Sequence, residues 1–260
     1  MVKTSTYDPH IENNGAMVQI VNLTKRFENI LAVDNLSFAI NRGEVFGLLG
    51  SNGAGKTTTL QIIAGLLKAT AGEVYVNGLN IRNYSREIKA ILGYLPESPA
   101  VYEQLTGSEF LKFIGRLRGL SEQKIEARVT KLARILDLKD RIDSRLSSYS
   151  KGMKQKISFA ATILHEPELI LLDEPTSGLD PRYGRLIKDW IGLHKKQNKT
   201  ILLSSHMIDL VESLCTRIII LDKGAIKGFG TVPELLEVTG MDSLEDTFIE
   251  LTGGPIEAEF

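Results

Sequence analysis

The chain has 260 residues, 43% of them hydrophobic and 24% charged, with a formal net charge of −1. That length suits one large domain, or a core carrying an inserted subdomain, and the composition is that of a soluble globular protein able to bury a sizeable core. Near-neutral charge removes any bulk electrostatic reason to expect a nucleic-acid partner, and the one cysteine, Cys215, excludes an internal disulfide and suits a reducing compartment.

From Met1 to Gly15 the chain is polar and lacks the apolar core of a signal peptide, so residues 1–16 read as a flexible leader. No stretch approaches the ~20 apolar residues that cross a bilayer. Val18 to Val21 is a short apolar run, and Leu36, Phe38 and Ile40 alternate with small or polar residues; both predict strands with one buried face. Glu44 to Leu49 is a nearly unbroken apolar run. It leads into a glycine-rich loop, and a helix is predicted from about Thr57 to Leu67. Gly72 to Val76 and Leu92 to Leu95 predict two more strands.

The pattern changes after Pro96. From Leu105 to about Leu164 the periodicity is helical, with almost no strand signal. Thr106 and Glu109 form a capping-box pair ahead of Phe110, Leu111, Phe113 and Ile114, and Ser121 can cap a helix carrying Ile125, Val129, Leu132 and Ile135. Strand and helix then alternate: strands at Leu169–Leu172, Thr200–Leu203, Arg217–Leu221 and Ala225–Phe229, helices at Asp180–Lys195 and Met207–Cys215. Such alternation predicts a parallel sheet in an α/β core, with the 105–164 block inserted as an all-helical piece.

Gly50-Ser51-Asn52-Gly53-Ala54-Gly55-Lys56-Thr57 matches G-x-x-x-x-G-K-[ST]. The glycines let backbone N–H groups turn inward around phosphate oxygens, and the following helix directs its positive end at them. Lys56 reaches the β- and γ-phosphates, and the Thr57 hydroxyl completes a Mg²⁺ shell. A chance match is expected in roughly one chain in a hundred of this length; the strand before it and the helix after it argue against chance. Leu169 to Leu172 ends in Asp173-Glu174-Pro175. Where a strand leaves the sheet both acids can face the crevice at its carboxyl edge. Asp173 would then hold Mg²⁺, directly or through water, while Glu174 orients and deprotonates the attacking water. Alone, Asp-Glu would read as a solvated acidic turn; the phosphate loop changes that reading.

Between these sites lies Leu146-Ser147-Ser148-Tyr149-Ser150-Lys151-Gly152-Met153-Lys154-Gln155, which resembles the signature of the ABC ATPase family, usually Leu-Ser-Gly-Gly-Gln. Ser177-Gly178-Leu179-Asp180 resembles the family's D-loop, His206 after Leu202-Leu203-Ser204-Ser205 its switch histidine, and Phe27 the aromatic that stacks on adenine. Order and spacing agree with the family from about Met17 to Gly230. Gly93-Tyr94-Leu95-Pro96-Glu97, Tyr102 to Thr106 and Ser243 to Ile249 resemble the exporter branch of multidrug and sodium-efflux systems. Departures are Glu97 where the family has Gln, and Lys151 and Met153 within the signature.

The resemblance implies a P-loop NTPase core with a mainly parallel sheet, an N-terminal antiparallel β subdomain and the helical insertion. The divisions are 17–97 with 165–232 for the ATP-binding core, 98–164 for the helical signature subdomain and 233–260 for an accessory helical segment. It implies ATP and Mg²⁺ as ligands, with Gly50 to Thr58 (Thr58 included) and Phe27 on the nucleotide. Ser150 and Gly152 would reach it from a second subunit, Thr57, Asp173 and Glu97 would face the metal, and Glu174, His206 and Lys56 would serve hydrolysis. Asp180 would link the sites across the interface. The implied partners are a second ATPase subunit and an integral membrane permease at the cytoplasmic face of the membrane, docking near Glu97 with Tyr102, Leu105 and Phe110 as candidate contacts.

Plainer readings stay open for single residues. Phe27 alone reads as core, His206 as a satisfied structural histidine, and Ser150 as a helix cap. His10, His165 and His194 have no functional context, and Cys215 reads as packing. Two other functions compete: an ABC-type ATPase acting in translation or DNA repair, disfavoured by the single cassette and neutral charge, and a regulator without turnover, disfavoured by Glu174. A GTPase lacks support because no Asn-Lys-x-Asp motif is present.

Overall fold

The computed structural model describes residues 15–195 and 197–253, so nearly all of the expected leader and the last residues of the 233–260 segment lie outside the described residues. Chain order is β1 (Ala16–Phe27), β2 (Ile30–Asn41), β3 (Val45–Gly50), α1 (Lys56–Ile63), β4 (Ala71–Val76), β5 (Leu79–Asn80), α2 (Ser85–Ile91) and β6 (Leu92–Leu95). The helical block follows: α3 (Gly107–Leu117), α4 (Glu122–Ile135), a 3₁₀ turn at Leu146–Ser148 and α5 (Lys151–Ile163). Then come β7 (Leu169–Asp173), α6 (Pro181–Lys195), β8 (Thr200–Ser205), α7 (Ile208–Leu214), β9 (Arg217–Asp222), β10 (Ala225–Gly230), α8 (Val232–Thr239) and α9 (Leu244–Thr252).

Two sheets form among the described residues. The first, ordered β2-β1-β4-β5, is antiparallel. The second, ordered β10-β9-β3-β8-β7-β6, is parallel except at the β10 edge. Strands β3, β7 and β8 are buried at every position, which is why they read as unbroken apolar runs rather than alternating ones. Alternation survives as a choice between two cores. Leu169 and Leu171 join the core shared with the antiparallel sheet, whereas Ile170 and Leu172 join the core under α3, α4, α5 and α6. A third, smaller core lies beneath α8 and α9.

Three helix caps stand where the sequence placed them. Thr106 and Glu109 close a capping box on α3, and the Ser121 and Ser150 hydroxyls cap α4 and α5. Three expectations need correction. The helix after the phosphate loop stops at Ile63 instead of Leu67, because Gly65 takes φ +65° and the Gly65 and Leu66 N–H groups turn back to Ile62 and Gln61. That pair of bonds is a Schellman stop. Helix α2 was not expected, since it is only seven residues long and buries Ile88 alone. Phe110, offered as a partner contact, is buried in the core of the helical block, while Tyr102 is exposed and meets it edge-on.

Candidate nucleotide site

All the elements of the site converge at the carboxyl edge of the parallel sheet, the usual place for a site in such folds. Strand β3 runs into the glycine-rich loop and the loop into α1. Gly55 sits at φ +100°, and a Cβ there would collide with the Ala32 carbonyl, so only glycine fits this position. No side chain caps α1. Its first-turn N–H groups therefore have no partner within the helix and face the loop. A cavity of about 360 Å³ lies there, lined by Ala32, Asn52–Thr58, Glu97 and Glu174.

Lys56 is buried, and its Nζ donates to the carbonyls of Gly50 (2.7 Å) and Ser51 (3.1 Å). The same ammonium lies 3.3 Å from Glu174 Oε1, with both side chains 6% exposed. This Oε1 is held by charge attraction without a well-aligned hydrogen bond. The other oxygen, Oε2, is 2.9 Å from His206 Nδ1. Glu174 holds this place through a positive φ of 45°, a conformation that costs a non-glycine residue energy and persists only where its surroundings enforce it. They do so here: the Glu174 N–H donates to Ser204, and the Glu174 carbonyl accepts from the Ser177 N–H.

Asp173, at the end of β7, is fully buried. Its Oδ1 accepts from Ser204 Oγ (2.6 Å) and Thr57 Oγ1 (3.1 Å), and its Oδ2 from the Tyr94 hydroxyl (3.3 Å). Burial raises the Asp173 pKa above its ordinary value, the three hydroxyl bonds oppose that rise, and the charge of Glu97 adds to it. Burial likewise pushes the Tyr94 hydroxyl up, with the Asp173 charge adding to it. Among the described residues no group of three or more His, Cys, Asp or Glu is arranged to hold a metal by itself. A magnesium shell here would have to draw on hydroxyl, phosphate and water oxygens. The Thr57–Asp173 pair suits a hard cation of that kind.

The structure thus brings together Lys56, Thr57, Asp173, Glu174 and His206, and puts Thr58 and Glu97 on the cavity wall. Phe27 does not line the cavity. It is 41% exposed at the end of β1 with Lys25 Nζ over its ring, which overturns the core reading for it. His206 is accessible and bound to the Glu174 carboxylate. Ser150, Gly152 and Asp180 lie outside the cavity wall. Ser150 caps α5 by accepting from the Met153 N–H, and Asp180 accepts from the Arg182 N–H at the start of α6. Two residues were not anticipated. Ser204 faces Asp173 in the β7–β8 register and binds both acids' residues, and Tyr94 pairs with Leu171 on the neighbouring strand. The available signal was a hydroxyl side chain one place before the end of a largely apolar strand.

The ABC transporter family model matches residues 33–177. The chain is 35% identical over 238 residues to the ABC transporter ATP-binding protein NatA of Bacillus subtilis, covering 90% of this chain and 97% of that protein. A solved ATP-binding subunit of an ABC transporter superposes with a TM-score of 0.85 at 33% identity, covering 90% of this chain and 99% of the other. The ATP-binding cassette MJ0796, solved as a dimer in a post-hydrolysis state with ADP and Pi, gives a TM-score of 0.76 at 26% identity over 83% of this chain and 98% of that one. Motif order, site geometry and these likenesses agree, and the chain belongs to the ABC transporter family as one of its ATP-hydrolysing, nucleotide-binding subunits.

Proposed function

We propose that the chain binds Mg·ATP between two ATPase subunits and that their closing and opening drives export through a separate membrane permease at the cytoplasmic face. The observation that carries this reading is the row Lys56–Glu174–His206, its first two members buried and its third open to solvent, beside the Thr57–Asp173 pair. In this row Lys56 exchanges its carbonyl partners for phosphate oxygens. Glu174, close to two basic groups, accepts the proton of the attacking water, and His206 holds the Glu174 carboxylate and donates to the γ-phosphate. Magnesium, when bound, would supply positive charge against the phosphate oxygens, with Thr57 and Asp173 as its protein side and Glu97 on the cavity wall.

Gly152 supports the second subunit. A Cβ there would meet nothing within 4 Å, and its φ is not positive, so this chain's own fold does not require glycine at that point. A surface that must let another molecule approach closely does require it. Both halves of the site are present in this one chain, so a second copy meets the chemical need. Phe27, exposed at the end of β1, is available to stack on adenine, and Asp180 lies at the start of α6 where the paired subunit would pass. The permease would dock on the exposed ring edges of Tyr102 and Phe113, which pack against each other beyond the Glu97 loop.

The test is recovery of tagged Glu174→Gln from detergent-solubilised native membranes with ATP and Mg²⁺. One dominant polytopic membrane protein in the eluate is the expected result. Recovery of ribosomal or DNA-repair proteins instead, or of the ATPase alone, overturns the export reading while leaving the ATPase.

A further inference from the structure

A second and larger cavity shares no lining residue with the nucleotide site. It measures about 900 Å³, is half open, and sits between α4 of the helical block and α6 of the core, with the end of α5 as its floor. Concave sites for small molecules fall at roughly 300–1,000 Å³ and combine an apolar lining with a few convergent polar groups. This cavity has both features. Its apolar wall includes Leu132, Trp190 and two large side chains left open to solvent, Ile135 at 45% and Leu193 at 59% exposure. Exposed apolar side chains that converge on a concavity are less ordinary than the same residues scattered singly.

The rim is cationic. Arg128 is already engaged by Glu166, but no ion pair among the described residues joins Lys131, Arg182 or Arg185 to an acid. Asp189 is the one acid on the rim outside that pair. The local field registers on His194, which stacks on Trp190: burial first, then the charges of Lys199 and Lys131, hold its pKa below the ordinary imidazole value. Arg182 stands at the start of α6, where its backbone N–H donates to Asp180 Oδ1 at 2.7 Å.

We infer that this cavity binds an anionic amphiphile, an acyl or similarly long apolar chain carrying one negative head group, with the chain along Leu132, Trp190 and Leu193 and the head group on Lys131, Arg182 and Arg185. Charge complementarity selects the class. A neutral lipid leaves three cations without a counter-charge, and a small inorganic anion leaves the apolar wall uncovered.

The chain's one tryptophan, Trp190, lines the cavity and reports on it directly. The experiment titrates the full chain with dodecanoate below its micellar range and follows Trp190 fluorescence, with dodecanol and acetate as matched probes lacking the charge or the chain. The expected result is a saturable change at one equivalent of dodecanoate, much weaker binding of dodecanol and none of acetate. Lys131→Glu/Arg185→Glu alters only exposed positions and is expected to weaken dodecanoate by about tenfold while retaining ATP binding. Calorimetric titration reads the same constant without relying on the fluorophore. The proposal is overturned by the absence of saturable binding in both measurements, by equal affinity for acid and alcohol, or by unchanged affinity in the double variant. It is also overturned if an acidic amphipathic peptide binds there and dodecanoate does not, since the cavity is then a polypeptide surface.

Discussion

The phosphate loop and the signature segment both place a glycine at a helix N-terminus, but the chain treats them differently. At the phosphate loop every constraint is internal: Gly55 has the Ala32 carbonyl against it, Lys56 is buried, and Asp173, Glu174 and His206 arrive from other strands to meet it. At the signature the Ser150 hydroxyl caps its own helix, Lys151 is exposed, and Gly152 faces open space. One region is finished by its own fold. The other is left open by its own fold, and under the proposed function that opening is where a second chain completes the chemistry.

The largest effect expected is on turnover. Glu174→Gln keeps the size of the side chain but cannot take a proton from water, so phosphate release should fall by roughly 10²–10⁴-fold with ATP still bound; a loss of less than tenfold would move the base elsewhere. Lys56→Ala should abolish ATP binding, and it leaves Glu174 buried without its cation, which costs about 3–5 kcal/mol of stability when a buried pair is broken. Chemical denaturation of the nucleotide-free protein measures that cost.

Gly152→Leu sharpens the comparison from the other side. Because space is open there, the melting temperature should be unchanged and single-chain ATP binding intact, while ATP-driven association is lost. A melting temperature several degrees lower would mean that the glycine serves the chain's own fold. Tyr94→Phe removes one of three hydroxyls from Asp173. The expected result is a shift of a few fold in the Mg²⁺ concentration needed for tight ATP binding, with Mg²⁺-free binding unchanged. Equal loss in both conditions would make Tyr94 a packing residue.

The smallest effect is a pH response that has nothing to do with either region. His165 is held to about 4 from an ordinary 6.5, mainly by burial. Between those values the unfolded chain takes a proton that the folded one refuses, so stability should decline as pH falls from 6.5 toward 4. His165→Gln should flatten that part of the stability–pH curve without changing turnover.

Much of this was legible in the sequence because it follows periodicity and loop chemistry. The capping pair Thr106–Glu109, the apolar runs of β3 and β7, and the phosphate loop each declare themselves locally. What was not legible depends on neighbours remote in sequence. Tyr94 matters because β6 lies beside β7, and Ser204 because β8 lies on the other side of β7. Phe110 and Phe113 share one helix and one residue type, and only packing reveals that the first is core and the second half-open. Phe27 failed as core because it closes the β1–β2 hairpin, where Ile30 opposite it is exposed as well. Helix α2 is too short to produce a period.

The most direct test of the central claim is the mass of Glu174→Gln in solution by light scattering, measured with Mg·ATP and then with Mg·ADP. The account predicts a doubling of mass with ATP that reverses when ADP replaces it, because the signature of one copy needs a γ-phosphate to grip. A protein that binds ATP at saturation and remains a single chain, or that pairs equally with ADP, would contradict it.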